Sequence, residues 1–311
     1  MKKVLITPRS FAKNNRDQIF ELLSEHGIAP VLNPYGRILT EDDMIRQIHD
    51  ADGLIVGVDP VTRDVLEAAP KLRAIAKYGV GVDNIDMECA LSRGVSVSRT
   101  IGANADAVAD FTMTLLLAVA RRLTEIDSGC HHGDWAKKEA LDVYGKRIGV
   151  LGLGAIGKGV AKRAQGFDMS VFAYDIVKDE QFIKRNNIIF TDVETIVREC
   201  DFITLHLPLT ETTRHLLNKN SLKAAKPNLV VVNTARGALL DEASMFDLLA
   251  TRRIYGLGVD VFEHEPPCDS RLLTLPNVIA GSHTAASSQG ATAAMSEMAS
   301  RNIIRALSLS N

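Results

Sequence analysis

The sequence predicts an α/β protein made of two units, each with a parallel sheet covered by helices. Three observations predict this class. The chain has 311 residues, which is too long for one ordinary core and suits two domains. Short apolar runs alternate with amphipathic stretches, the order that gives a parallel sheet with helices on both faces. This alternation runs twice, before and after a long helical pattern in the middle of the chain.

The first hundred residues contain five strand candidates with three helix candidates between them. The strands are predicted at Val4–Ile6, Pro30–Asn33, Gly53–Val56, Arg73–Ala76 and Val95–Val97. The helices are predicted at Asn14–His26, Glu41–His49 and Val61–Ala69. Strands separated by helices pair in parallel, so these elements predict one complete α/β unit.

The rest of the chain predicts a long connecting helix, a second unit and a terminal helix. The pattern of Ala103–Gly129 is helical throughout and, at the usual rise, roughly 40 Å long, which suits a connection between domains. The strands that follow are predicted at Arg147–Leu151, Met169–Tyr174, Phe202–Leu205, Leu229–Asn233, Ile254–Val259 and Val278–Ala280. A last amphipathic helix, Ser287–Leu307, is expected to return to the first unit.

Composition excludes several classes of function. Apolar residues make up 46% and charged residues 24%, as in soluble globular proteins, and the net charge of −2 gives no reason to expect nucleic acid or an anionic membrane as a partner. The start of the chain does not read as a signal peptide, and the longest apolar run, Phe111–Ala120, is about half of a membrane span. The four cysteines form no CxxC pair, which favours reduced thiols and a cytoplasmic location.

The stretch VLGLGAIGKGV at 150–160 has the glycine spacing of a dinucleotide-binding turn. It lies between a predicted strand and a predicted helix, Ala155–Gln165, which is the context that such a motif needs. Gly152 permits a tight turn, Gly154 lets the backbone approach a pyrophosphate, and Gly157 lets the helix pack on the strand. The N-terminus of the helix would then present free N–H groups and the positive end of its dipole to the phosphates.

Asp175 ends the next predicted strand, eighteen residues after Gly157. A carboxylate there can accept hydrogen bonds from a ribose 2′-hydroxyl and would repel a 2′-phosphate. Ile176 and Val177 follow it, so no neighbouring arginine would welcome that phosphate. The sequence therefore predicts NAD rather than NADP as the cofactor.

Three segments that follow strands of the second unit carry candidate catalytic side chains. They are VVNTARGALLDE, DVFEHEPP and GSHTAASS, and they offer Arg236, Glu265 and His283. Loops at the carboxyl ends of parallel strands should converge on one crevice. A guanidinium can hold a substrate carboxylate, an imidazole can transfer a proton, and a carboxylate behind the imidazole can orient it. Glu263 is a rival to Glu265 for the last role.

The chain resembles the D-isomer-specific 2-hydroxyacid dehydrogenases over essentially its whole length. The resemblance rests on KYGVGVDNID at 77–86, NADAVADFTMTLLLAVAR at 104–121, GLGAIG at 152–157, HLPLT at 206–210, NTARG at 233–237 and DVFEHEP at 260–266. It implies two Rossmann-like domains, with the nucleotide domain inserted into a flavodoxin-like substrate domain. The substrate domain would comprise 1–98 with 284–311, and the NAD domain 99–283.

The resemblance also implies roles for individual residues. Arg236, Glu265 and His283 correspond to the family's catalytic residues. The backbone N–H groups of Val80 and Gly81, with Tyr78 close by, would hold the substrate carboxylate together with Arg236 and His283. Besides the glycine turn and Asp175, the cofactor contacts would be Val108, Ala155, Ile156, Leu207, Pro208, Thr213, Thr234, Ala235, Arg236, Asp260 and His283. The long helix from Asn104 would contribute to a homodimer interface.

The substrate expected from this resemblance is a small unphosphorylated 2-hydroxy or 2-oxo acid, of the glyoxylate or hydroxypyruvate kind. Phosphoglycerate dehydrogenases have an arginine–serine pair where this chain has Gly57 and Val58, and Asp59 is expected to repel a phosphate. Arg9, after the first strand, keeps D-3-phosphoglycerate dehydrogenase as the alternative. Ser282 replaces the proline that usually precedes the catalytic histidine, but it leaves His283 in register.

Two other readings are weaker. An NAD-sensing binding protein on the same fold would be expected to carry a flexible tail, and no such tail is predicted here. A metal site at His131 and His132 is not expected, because adjacent histidines point apart. His206 is expected to shape the cofactor loop rather than to take part in chemistry, and His264 to be a solvated neighbour of Glu265.

Overall fold

The computed structural model describes residues 1–308, which form two compact units. The first unit comprises Met1–Ala105 with the C-terminal segment from Ala286, and the second comprises Asp106–Ala285. Both boundaries lie slightly later in the chain than the sequence-based ones after residues 98 and 283. Residues 309–311 of the predicted C-terminal segment lie outside the described residues.

The strands and helices alternate along both units. The strands are β1 (Lys2–Ile6), β2 (Ile28–Leu32), β3 (Gly53–Val56), β4 (Ala74–Lys77), β5 (Ser96–Arg99), β6 (Arg147–Leu151), β7 (Ser170–Tyr174), β8 (Ile189–Phe190), β9 (Phe202–Leu205), β10 (Val230–Asn233), β11 (Gly256–Val259) and β12 (Val278–Ala280). The α-helices are α1 (Arg16–Glu25), α2 (Glu41–Ile48), α3 (Arg63–Glu67), α4 (Met87–Ser92), α5 (Ala105–Ala120), α6 (Leu123–His131), α7 (Ala155–Gln165), α8 (Glu180–Arg185), α9 (Val193–Glu199), α10 (Glu242–Ala250) and α11 (Gln289–Ser308). Short 3-10 turns lie at Ser221–Ala224, Gly237–Leu239 and Arg271–Thr274.

The sheet of the first unit has five parallel strands in the order β2-β1-β3-β4-β5, as in flavodoxin-like folds. Consecutive residues of the buried strands face opposite sides of this sheet, so both sides need a cover. Leu5 and Leu54 join the core that contains Met44 of α2. The opposite side is covered in part by α11, whose Ile303 lies against Gly53. The predicted return of the terminal helix to the first unit is therefore confirmed.

The sheet of the second unit has seven strands in the order β12-β11-β10-β9-β6-β7-β8, and every pair in it is parallel. The strand order reverses beside β6, which is the arrangement of a dinucleotide-binding fold. Val150 belongs to the core that includes α5 and α7, whereas its neighbour Leu151 belongs to the core that includes α9 and α10. The sheet is thus buried on both sides, and its carboxyl edge is left to the loops.

The structure corrects the prediction of one helix over Ala103–Gly129. The pattern is divided at Arg122, whose φ of 54° lies in the left-handed region, into α5 and α6. The Arg122 guanidinium holds Glu125 through two hydrogen bonds of 2.9 and 2.7 Å and donates to the carbonyl of Glu139. These contacts stabilise a break in the helix at a point where the sequence has neither glycine nor proline. Within residues 1–308, no helix has the length and apolarity needed to span a membrane.

Candidate active site

The glycine turn between β6 and α7 has the geometry that a dinucleotide phosphate needs. Gly152 has a φ of 101°, and a Cβ on it would lie 2.6 Å from the carbonyl carbon of His206. A Cβ on Gly157 would lie 1.9 Å from the carbonyl oxygen of Gly152. The first turn of α7 can therefore lie this close to the glycine turn only if residue 157 is glycine. Gly154 faces open space and precedes α7, whose start receives no side-chain cap. The uncapped N–H groups of Ala155 and Ile156 therefore suit a bound pyrophosphate.

Asp175 lies directly after β7, next to this turn. Its carboxylate accepts a hydrogen bond from the N–H of Leu153 at 2.6 Å and one from the N–H of Val177 at 3.1 Å. The contact with Leu153 fixes the carboxylate beside the turn, where a ribose would follow the pyrophosphate. The next residue, Ile176, is 84% exposed and brings no cation to this position. These residues fit NAD.

The other predicted cofactor residues lie mainly in loops at the same edge of the sheet. Leu207 and Pro208 follow β9, Thr234 and Ala235 follow β10, and Asp260 follows β11. Thr213 donates a hydrogen bond to the carbonyl of Pro208 at 2.8 Å, which closes the loop after β9. The hydroxyl of Thr234 lies 2.9 Å from that of Thr112 in α5, the helix that also contains the buried Val108. These loops therefore lie at the same carboxyl edge of the sheet as the glycine turn.

His206 has an unusual environment within this surface. Neither of its ring nitrogens is accessible to solvent, and neither has a hydrogen-bond partner among the described residues. Burial lowers the pKa of His206 to about 3, so the imidazole is neutral at neutral pH. The backbone of His206 packs against Gly152. Its ring, which stays neutral, does not serve as a general acid at neutral pH.

The loop after β12 places His283. Its backbone φ is 55°, a left-handed conformation that costs energy for a residue other than glycine. Asp260 holds this loop, because its carboxylate accepts hydrogen bonds from the N–H groups of Thr284 at 2.9 Å and Ala285 at 2.7 Å. The carbonyl of Asp260 accepts the N–H of His283 at 2.8 Å. Burial raises the pKa of Asp260, although these donors oppose the shift. Sequence reasoning gave Asp260 only a cofactor contact and missed this anchoring role.

His283 and Glu265 form a direct pair. The Nδ1 atom of His283 lies 2.7 Å from one oxygen of Glu265, and the other oxygen accepts the N–H of Phe262 at 3.0 Å. Burial raises the pKa of Glu265, but the hydrogen bond and charge of His283, the Phe262 N–H and the charge of Arg236 together bring it below its ordinary value. The ionised carboxylate orients the ring and leaves its Nε2 atom pointing elsewhere.

Arg236 lies in the turn after β10. The side chain of Asn233 shapes this turn by donating to the Arg236 carbonyl at 2.7 Å and accepting the N–H of Ala235 at 3.0 Å. The Arg236 guanidinium donates to the carbonyl of Ala235 at 2.6 Å. Arg236 precedes Gly237, whose backbone lies against that of Phe262, the residue whose N–H donates to Glu265. The charge of Arg236 also lowers the pKa of Glu265.

In the first unit, the predicted carboxylate-binding turn follows β4. Gly79 has a φ of 145° and donates to the hydroxyl of Thr100 at 2.8 Å. Among the described residues, nothing accepts the N–H groups of Val80 and Gly81, so both can serve an anion. The hydroxyl of Tyr78 instead donates to the carbonyl of Thr292 at 2.9 Å, so it serves to hold the turn on α11.

The structure corrects the expectation that the side chain of Asp59 repels a phosphate. Asp59 is 2% exposed, and its carboxylate accepts the N–H of Leu39 at 2.8 Å and the hydroxyl of Thr7. The neighbouring Val58 is 47% exposed, so this loop presents an apolar surface. Arg9 is exposed and makes no hydrogen bond or ion pair with any residue of the described chain.

The adjacent histidines at the C-terminal end of α6 turn back on their own helix. The Nδ1 atoms of His131 and His132 lie 2.9 Å from the carbonyl of Asp127 and 2.7 Å from that of Ser128. Across residues 1–308 no group of three or more His, Cys, Asp or Glu side chains is arranged to hold a metal ion.

Comparison with known proteins gives consistent matches. The family model described as "D-isomer specific 2-hydroxyacid dehydrogenase, NAD binding domain" matches residues 113–285. A glyoxylate reductase from Korarchaeum cryptofilum is 37% identical over 297 residues, which are 91% of this chain and 90% of the relative. A D-3-phosphoglycerate dehydrogenase from Methanocaldococcus jannaschii is 40% identical over 273 residues, 86% of this chain but only 52% of that protein. The structure of D-lactate dehydrogenase from Aquifex aeolicus, complexed with NAD and lactic acid, matches with a TM-score of 0.86 and 25% identity, covering 99% of this chain and 96% of the other.

Proposed function

The chain belongs to the D-isomer-specific 2-hydroxyacid dehydrogenases and is an NAD-dependent oxidoreductase of CH–OH donors, and we propose that it acts on small unphosphorylated 2-oxo and 2-hydroxy acids. The observation that carries the catalytic assignment is the 2.7 Å contact between His283 and Glu265. The charge of Arg236 also lowers the pKa of Glu265. A proton donor, an orienting carboxylate and a cation at one edge of the sheet are what reduction of a 2-oxo acid requires.

In this proposal His283 transfers the proton and Glu265 stabilises the charged ring. NAD supplies or accepts the hydride when it is bound. During reduction the protonated His283 gives its Nε2 proton to the oxygen of the oxo group, and during oxidation the neutral ring takes that proton back. Glu265 holds Nδ1 in both directions, so Nε2 is the atom that meets the substrate.

Each unit carries candidate substrate-binding groups of its own in this proposal. The first unit is the substrate domain, and it offers the free N–H groups of Val80 and Gly81 to the carboxylate. The second is the nucleotide domain, and its Arg236 binds the carboxylate and polarises the adjacent carbonyl. Asp175 gives NAD the preference over NADP, because its charge would repel a 2′-phosphate.

The chain is proposed to be a cytoplasmic homodimer. Support for a dimer comes from large apolar side chains exposed in and after α6: Leu123 is 57%, Trp135 87% and Tyr144 71% exposed. Exposed aromatic and aliphatic side chains of this kind would be covered if this segment packs against a second copy of the chain. Support for the cytoplasm comes from Cys130 and Cys268, which are exposed and carry free thiols.

D-3-Phosphoglycerate dehydrogenase is the alternative, and Arg9 is the observation that favours it. Arg9 follows β1, at the same carboxyl edge of the first sheet as the Val80–Gly81 turn, and its guanidinium has no partner within residues 1–308. A relative of that name is 40% identical. Against it, Gly57 and Val58 provide no cation from the loop after β3.

The decisive experiment is an absorbance assay at 340 nm with NADH and NADPH over a panel of 2-oxo acids. The panel contains glyoxylate, hydroxypyruvate, pyruvate, oxaloacetate, branched 2-oxo acids and 3-phosphohydroxypyruvate. We expect NADH oxidation with glyoxylate or hydroxypyruvate. Failure with every acid and both cofactors would contradict the proposal.

A further inference from the structure

Two glutamates that the chemistry does not use form a reciprocal clamp between α10 and the loop after β11. The N–H of Glu263 donates to the Glu242 carboxylate at 2.7 Å, and the N–H of Glu242 donates to the Glu263 carboxylate at 3.2 Å. Each glutamate thus satisfies the backbone of the other. Glu242 is the first residue of α10, so the carboxylate of Glu263 also meets the positive end of that helix.

Two further side chains complete this clamp. The hydroxyl of Ser270 donates to the second oxygen of Glu242 at 2.9 Å, so the clamp reaches the far end of the loop. The Nε2 atom of His215 lies 3.2 Å from the Glu263 carboxylate. His215 is itself held, because its backbone N–H donates to the carbonyl of Ala238 at 2.8 Å. Glu263 is therefore held by the hydrogen bond from Glu242, and the same carboxylate oxygen faces the His215 ring.

The clamp bears directly on the position of Glu265, two residues further along. The N–H of Phe262 donates to Glu265 at 3.0 Å, so the backbone just before the clamp also orients the Glu265 carboxylate. The backbone of Phe262 and Glu263 packs on Gly237, where a Cβ would lie 1.9 Å from the Phe262 carbonyl carbon. Since Gly237 follows Arg236, any movement of this loop would change the position of Glu265 relative to Arg236.

We propose that Glu242 and Glu263 are positioning residues that fix the position of the Glu265 carboxylate relative to His283. They act through Glu265 and touch neither substrate nor cofactor. This inference rests on the proposed roles of Glu265 and His283 in proton transfer. It also accounts for Glu263, which the sequence left as a rival for the carboxylate role. One oxygen of Glu263 accepts the N–H of Glu242 and lies 3.2 Å from His215, whereas an oxygen of Glu265 contacts His283.

The test is a set of pH profiles of kcat/KM for 2-oxo acid reduction. In Glu263→Ala we expect kcat/KM to fall about tenfold and the alkaline limb to move to lower pH, part of the way to its position in Glu265→Gln. An ill-placed Glu265 stabilises the protonated ring of His283 less well, which gives this direction. Glu263→Gln keeps an oxygen acceptor for the Glu242 N–H and should stay within about threefold of the wild type. The KM for NADH should not change.

A double-mutant cycle separates positioning from mere stability. Once Glu265 is replaced by Gln, adding Glu263→Ala should shift the profile no further, because the residue through which it acts is gone. The control is Glu199→Ala, which removes an ion pair with Arg147 at the opposite edge of the same sheet and should leave the profile unchanged. An additive cycle, or a Glu263→Ala enzyme that melts earlier with a wild-type profile, would overturn the inference.

The two proposals fail differently. If Glu265→Gln leaves both rate and profile unchanged, the proton-transfer assignment itself is wrong. If Glu265→Gln shifts the profile and Glu263→Ala does not, the assignment stands and only the clamp is refuted.

Discussion

His283 meets Glu265 through a 2.7 Å contact between Nδ1 and a carboxylate oxygen, although the backbone of His283 lies in the strained left-handed region. The contact and the strain have one explanation. Asp260 accepts three hydrogen bonds from the backbone N–H groups of residues 283–285. These bonds hold the loop in the conformation in which the His283 ring reaches Glu265. Strain that is supported in this way is typical of a functional site.

The first prediction concerns this pair. Glu265→Gln should move the alkaline limb of the reduction profile to lower pH, because the protonated ring of His283 loses the negative charge that favours it. The glutamine still fills the space and can still accept the N–H of Phe262, so the melting temperature should change little. The measurement is kcat/KM against pH for the two enzymes. A profile that keeps its position would remove Glu265 from the proton-transfer unit.

The second prediction separates Arg236 from His283. Arg236→Ala should raise KM for the 2-oxo acid and lower kcat, because the guanidinium binds the carboxylate in both ground and transition states. His283→Ala should lower kcat by roughly 10²–10⁴-fold, the usual contribution of a positioned proton donor, with a smaller change in KM. Steady-state kinetics of both variants give the comparison. An unchanged kcat in His283→Ala would assign the proton donor to another group.

The third prediction concerns cofactor choice. Asp175→Ser combined with Ile176→Arg should weaken NADH and improve NADPH, because a cation replaces the charge that repels a 2′-phosphate. Asp175→Asn is the matched control, since its carbonyl can still accept the N–H of Leu153 while its charge is lost. The ratio of kcat/KM for NADH and NADPH is the readout. A wild-type enzyme that already prefers NADPH would contradict this interpretation of Asp175.

Regular elements were predictable where local pattern and tertiary environment agree. Four elements have the predicted bounds, because each is either an apolar strand or the helix that follows the glycine turn: Gly53–Val56, Arg147–Leu151, Phe202–Leu205 and Ala155–Gln165. The break at Arg122 was not predictable, since it depends on contacts with Glu125 and on the distant Glu139. The short helix Met87–Ser92 was also missed; its N-terminus is capped by Asp86, which accepts the N–H of Cys89 at 2.8 Å.

At the candidate site, the sequence predicted which residue types are present but not the directions in which their side chains point. The sequence places Asp59 in a loop after a strand, and only the fold shows that its carboxylate turns inward to Leu39 and Thr7. The same holds for Tyr78, whose hydroxyl is occupied by Thr292 more than two hundred residues away. Side-chain direction depends on partners that are distant in sequence, so a motif alone cannot supply it.

The fourth prediction concerns acid stability. Burial lowers the pKa of His206 to about 3 in the folded protein, against an ordinary value of 6.5. Below 6.5 the unfolded chain binds this proton and the folded chain does not, so the free energy of unfolding should fall as pH drops from 6.5 towards 3, by at most about 1.4 kcal/mol per pH unit. His206→Asn should flatten this dependence relative to the control His26→Asn, whose ring is exposed. Melting temperatures that change in parallel with pH in both variants would contradict it.

The last prediction concerns the substrate and the exposed Arg9. Because Gly57 and Val58 offer no cation, hydroxypyruvate should exceed 3-phosphohydroxypyruvate in kcat/KM. A built phosphate site would have the opposite effect, since each charge-assisted hydrogen bond contributes roughly 1.5–3 kcal/mol and even one would favour the phosphorylated acid about tenfold. Arg9→Ala, with Arg16→Ala as a control from α1, tests whether the one guanidinium after β1 compensates for the missing loop cation. If the wild type prefers 3-phosphohydroxypyruvate tenfold or more and only Arg9→Ala abolishes that preference, then Arg9 is a phosphate ligand and the enzyme is a phosphoglycerate dehydrogenase. If Arg9→Ala changes kcat/KM for neither substrate, Arg9 does not bind the phosphate and the phosphoglycerate dehydrogenase alternative loses its support.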